Sequence, residues 1–150
     1  MSLTYIEGLQ SEIFVPITPK IVWSPVEKEL SEMNIALVTA AGVHLKDDKK
    51  FNLSGDTSFR IIPSGTDSSD LTVTHGGYDN SDVNKDINCM FPIDRLKELQ
   101  EDGFIKGVSD INIGFMGGGG DVSKLTEETG PEIAKKLEEA KVDGVVLTAG

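Results

Sequence analysis

Two glycine-bearing stretches hold the residue types best able to do chemistry. The first, "THGGYDN", sets His75, Gly76, Gly77, Tyr78, Asp79 and Asn80 in succession. An imidazole, a phenol, a carboxylate and a carboxamide around two glycines can exchange protons and hydrogen-bond a small polar substrate. The plainer reading is a turn, with Asn80 or Ser81 capping the next short helix. The second stretch, "FMGGGGDVSKL", runs Gly117, Gly118, Gly119 and Gly120 into Asp121. Glycines let a ligand approach the backbone, and the N–H groups of a following helix favour an anion. Asp121 at the cap repels an anion, so a bare strand-to-helix turn is an equal alternative. The run does not match G-x-G-x-x-G in its full context and has no G-K-[ST].

Other reactive residues are sparse. His44 and His75 each follow a strand-like segment and, with a carboxylate, could form a two-His metal site. Nothing in the spacing supports that site, and no metal is expected. Cys89 is the one cysteine and reads as a small core residue. There is no nucleophile elbow of the G-x-S-x-G kind and no C-x-x-C. The last eight residues, "DGVVLTAG", place Val145, Val146 and Leu147 in an apolar run suited to the interior of a covered parallel sheet. Thr-Ala-Gly then leaves that strand where open α/β sheets bind ligands.

The elements that must position these residues follow from period and punctuation. Residues 1–33 hold three of the six prolines and read as an extended arm, packed through Phe14, Ile17, Val22 and Trp23. A short helix over 25–33 starts at Ser24 and Pro25. Strands are expected within 34–42, ahead of a small-residue turn, within 59–65 and 70–77, within 111–120, running into the glycines, and at 145–148. Helices are expected over 92–103, ended by Gly103, and over 121–144, interrupted at Gly130-Pro131. Alternation of strands and helices predicts an α/β domain over 34–150, a mostly parallel sheet flanked by helices in a Rossmann-like layered arrangement.

Composition narrows the class. The 150 residues, 38% hydrophobic and 26% charged, suit one soluble domain. The net charge of −11 disfavours nucleic acid and anionic membrane as partners. No signal peptide or membrane-spanning run stands in the sequence, so the cytoplasm is the expected compartment.

Five segments carry a resemblance: "GLQSEIFVPITP" (8–19), "NIALVTAAGVHLKDDKKFNLSGD" (34–56), "THGGYDNSDVNKDINCMFPIDRL" (74–96), "GFMGGGGD" (114–121) and "DGVVLTAG" (143–150). Together they resemble the selenocysteine-containing, selenoprotein B-type subunits of the glycine/sarcosine/betaine reductase family, in its D-proline-reducing branch. The resemblance implies reductive cleavage of the ring C–N bond of D-proline to 5-aminovalerate. It implies a selenocysteine directly after "LTAG", encoded by UGA, so that reading UGA as a stop would end the chain at Gly150 with the domain incomplete and inactive. It further implies a partner subunit whose pyruvoyl group captures the proline nitrogen, attack by the selenolate on the α-carbon, and a dithiol reductant. The resemblance assigns no role to His75. From its residue type, His75 is the candidate for proton delivery to the departing nitrogen. Gly117–Gly120, Tyr78, Asp79 and Asn80 are candidate substrate contacts. The alternatives are a glycine, sarcosine or betaine reductase component, a cysteine homologue at the missing position, or a binding domain without chemistry. An open sheet edge would favour self-association into an oligomer.

Overall fold

The computed structural model describes residues 24–117 and 121–149. The expected packing of residues 1–23, including Phe14, Ile17, Val22 and Trp23, lies outside these residues, as do Gly118–Gly120. The fold is mixed α/β with a mostly parallel sheet.

Strand β1 (Asn34–Thr39) is its centre, with five consecutive buried positions. It pairs in parallel with β7 (Gly144–Thr148) from Ile35 to Thr39. Its other side is shared in parallel by β5 (Gly107–Val108), opposite Asn34 and Ile35, and β6 (Asn112–Phe115), opposite Val38 and Thr39. Strand β3 (Phe59–Ile62) runs antiparallel to β6. Strands β2 (Val43–Leu45) and β4 (Leu71–Val73) form a separate antiparallel pair. Alternate side chains of β1 enter two cores. Ile35 and Leu37 pack in a cluster with Ile93 and Leu96 of helix α1 (Ile93–Glu101). Val38 packs with Ile113 of β6 and Ile133.

The gap between β5 and β6 leaves the Leu37 N–H without a ladder partner. The buried Asn112 side chain fills it: Oδ1 accepts from Leu37 N–H at 2.9 Å, and Nδ2 donates to the carbonyls of Ile62 and Ser109 at 3.0 and 2.6 Å. β2 then crosses β6 so closely that a Cβ at Gly114 would lie 1.9 Å from the Val43 carbonyl oxygen. Only glycine fits there.

Several expectations need correction. The strand that leads to His75 is not part of the parallel sheet. Gly42, at φ +74°, turns the chain after β1 into β2, and β4 pairs with β2 instead. The helix over 25–33 reduces to one 3₁₀ turn, Leu30–Glu32. Val26 and Leu30 are exposed, and a short helix with no buried face has little to stabilise it. Gly130-Pro131 does not interrupt the last helix. It runs through α2 (Val122–Lys124), a π-turn (Leu125–Thr129) and α3 (Gly130–Glu139). The Gly130 N–H donates to the Leu125 carbonyl five residues back, and this wider turn admits the ring of Pro131. Cys89 is exposed, not core. The 3₁₀ turn Ile87–Cys89 points Ile87 inward and leaves Cys89 outside.

β7 is paired on one side only among the described residues. Val145, Val146 and Leu147 are correspondingly exposed, Leu147 by 75%. No charge or proline blunts this strand. The 150-residue chain should therefore associate with itself, and Leu147→Lys should shift it toward monomer. Sedimentation velocity across concentrations checks this; identical monomeric profiles for both proteins would count against a sticky edge.

Candidate functional site

Strands β1, β6 and β7 run in parallel, so their carboxyl ends share one edge of the sheet. The small residues that leave β1 tie that edge together. Ala40 N–H donates to the Thr148 carbonyl at 3.0 Å, and the Ala40 carbonyl accepts from Gly117 N–H at 3.3 Å. The Ala41 carbonyl accepts from the Tyr78 hydroxyl at 3.0 Å. Gly42 exchanges with both sides: its N–H donates to Phe115 and its carbonyl accepts from Thr74 N–H, each at 2.9 Å. A Cβ on Gly42 would sit 2.4 Å from the Thr74 carbonyl oxygen, so the positive φ and the close approach both require glycine. On the buried side, the Thr39 hydroxyl accepts from Ala41 N–H and stabilises the turn. The Thr148 hydroxyl donates to the Met90 carbonyl and holds the end of β7 to the segment after the Ile87–Cys89 turn.

The "THGGYDN" loop thus reaches the same edge as β7, although by the β2–β4 pair rather than through a parallel strand. His75 is partly exposed. Its Nδ1 accepts from Gly77 N–H at 2.9 Å, and its ring packs on Tyr78 with centroids 4.9 Å apart. Burial holds its pKa below the ordinary value, so the ring is neutral near pH 7. Burial likewise raises the pKa of Tyr78, keeping the hydroxyl protonated as the Ala41 bond requires. Asp79 is fully exposed, and the Ser81 N–H holds its carboxyl below the usual range. The Asn80 carboxamide donates to the His75 carbonyl at 3.3 Å and stabilises the loop. Gly117 lies at this edge through its bond to Ala40, while Gly118–Gly120 are outside the described residues. Asp121 caps the helix as expected, accepting from Lys124 N–H at 3.1 Å.

His44 is not available to this site. It is fully buried, with Nδ1 on the Leu45 carbonyl at 2.6 Å and Nε2 on the Thr74 hydroxyl at 2.8 Å. Among the described residues no three His, Cys, Asp or Glu side chains group as metal ligands. The sequence reading missed the roles of Ala40, Ala41, Gly42 and Thr148. The available signal was "TAAG": two alanines and a glycine after a strand make room for backbone from three directions.

A model of the glycine/sarcosine/betaine reductase selenoprotein B family matches residues 4–150. D-proline reductase subunit gamma of Acetoanaerobium sticklandii is 66% identical over 148 residues, covering 99% of this chain and 61% of that protein. Sarcosine reductase complex component B subunit beta of Peptoclostridium acidaminophilum is 30% identical over 95% of this chain and 34% of its own length. Glycine reductase complex component B subunit gamma of Carboxydothermus hydrogenoformans is 31% identical, with the same two coverages. The chain thus spans about three fifths of the first relative and about a third of the other two. No solved structure matches it.

His75 gives this site a measurable pH signature. A depressed folded pKa means that the unfolded chain binds the proton more tightly, so the contribution is present above the unfolded value, about 6.5. It is lost as pH falls through the folded value. NMR titration should give His75 a midpoint below about 6.5. Between pH 7 and 5 the wild type should lose more stability in urea than His75→Gln, which cannot take the proton. Parallel pH profiles would contradict the shift.

Proposed function

The chain belongs to the glycine/sarcosine/betaine reductase selenoprotein B family, and from this we propose that it is part of a D-proline reductase subunit. The supporting observation is the 66% identity to D-proline reductase subunit gamma, against 30% and 31% to the sarcosine and glycine reductase components. The proposed net reaction takes D-proline and the two hydrogens of a dithiol to 5-aminovalerate and a disulfide. The partners in this reading are a pyruvoyl-bearing subunit and the dithiol, in an oligomeric cytoplasmic complex. No helix among the described residues is long and apolar enough to cross a membrane.

The carboxyl edge fits such a use. A selenol after Gly150 and a partner's pyruvoyl group would supply a nucleophile and an electron sink. The chain's own part is to hold that position. The end of β7 is fixed by the bonds from Ala40 N–H to the Thr148 carbonyl and from the Thr148 hydroxyl to the Met90 carbonyl. His75 is the group we assign to the departing nitrogen; its ring, neutral near pH 7, would take up a proton from solvent before passing one to that nitrogen. Tyr78, Asp79, Asn80 and the Gly117–Gly120 run are the proposed substrate contacts. The exposed edge of β7 supports continuation of the sheet in the family-length protein, in a Rossmann-like layered domain.

The test combines the family-length protein with the pyruvoyl subunit, D-proline and dithiothreitol, and measures 5-aminovalerate. Product should form, and serine in place of the selenocysteine should lower turnover by more than about 10³-fold. The 150-residue chain should give none. Product formation from glycine, sarcosine or betaine but not from D-proline would overturn the substrate assignment. Product formation from D-proline by the 150 residues would overturn the nucleophile.

A further inference from the structure

The two histidines are held by opposite hydrogen-bond patterns. His44 faces a carbonyl, which can only accept, at 2.6 Å from Nδ1. Its proton is therefore on Nδ1, and Nε2 accepts from the Thr74 hydroxyl. His75 faces the reverse. The Gly77 N–H can only donate, and it lies 2.9 Å from Nδ1. A side chain at position 77 would disturb this contact, since a Cβ would stand 2.8 Å from Cε1 and 3.2 Å from Nδ1 of the His75 ring. The glycine thus supplies the donor and leaves room for the ring it orients. Tyr78 closes one face of the imidazole, and its own hydroxyl is anchored on Ala41 at the end of β1.

We infer that Gly77 is a positioning residue: its N–H keeps the His75 proton on Nε2, so that the ring presents an N–H donor to an acceptor of the substrate at the carboxyl edge of the sheet. Nε2 has no partner among the described residues. The acceptor chemistry it suits is a carboxylate oxygen, which an imino-acid substrate carries. That use rests on the proposed reductase function; the tautomer does not.

The chain has only two histidines, which makes the test direct. Long-range ¹H–¹⁵N correlation spectra of ¹⁵N-histidine-labelled protein at pH 7.5 (about one unit above the ordinary histidine value) distinguish a protonated from an unprotonated ring nitrogen. His75→Gln assigns the signals by loss. The expected spectrum shows one ring protonated at Nδ1, His44, and one at Nε2, His75. Gly77→Pro, which lacks the N–H, and Gly77→Ala, which crowds the ring, should each move the His75 signals toward a mixture of tautomers. Unchanged His44 signals report that the fold is kept. A wild-type His75 protonated at Nδ1 or already mixed would overturn the inference. So would an unchanged Nε2–H ring in a Gly77 variant whose His44 signals are native. None of these outcomes depends on turnover, so failure of the reductase assignment would be seen separately, in the product assay.

Discussion

The fold depends on how β1 satisfies its backbone on both sides. One side is covered by β7 without a break. The other is covered in two pieces, with a gap where β5 ends and β6 begins. A buried N–H left in that gap would cost about 1–3 kcal/mol. Asn112 removes the cost by taking the place of the missing strand, and its amide also fixes the Ile62 and Ser109 carbonyls. One carboxamide therefore sets the register of β1, β3 and β6 together. Its capacity is well used: three bonds are made, and no side-chain nitrogen or oxygen buried among the described residues is left unpaired.

That register determines what meets at the carboxyl edge. Once β6 and β7 are aligned on Thr39, the three residues that follow β1 have backbone groups pointing at Thr148, Gly117 and the His75 loop. Alanine, alanine and glycine are the side chains small enough to allow it. Gly114 extends the same constraint, because β2 must pass directly over β6 before β4 can carry His75 back to the edge. The candidate site is thus assembled by backbone contacts around β1, and its polar side chains are positioned by the turns that those contacts permit.

Much of this was legible in the sequence. The apolar run of β1, the amphipathic spacing of α1 and the Asp121 cap each follow from local rules. The polar loop was legible from its composition, and the family from five long motifs. What was not legible came from long-range pairing. Antiparallel pairing of β4 with β2 depends on the Gly42 turn, which a reading of "AAG" as a plain loop does not reveal. The π-turn at Gly130-Pro131 depends on i→i+5 bonding that has no sequence signature of its own. Cys89 looked apolar in "INCMF", yet the burial of Ile87 in a tight 3₁₀ turn decides its exposure. The exposed face of β7 could not be read from an apolar run, since a run alone does not say whether a second strand is present to cover it.

The central proposal is that chemistry takes place at the carboxyl end of β7, just beyond Gly150. The most direct measurement is alkylation of the reduced family-length protein with iodoacetamide, with and without D-proline, followed by peptide mass spectrometry. The account predicts a substrate-protected adduct bearing the selenium isotope pattern on the peptide that contains Leu147, Thr148, Ala149 and Gly150. Protection confined to another peptide, such as that of the exposed Cys89, with no adduct after Gly150, would contradict it.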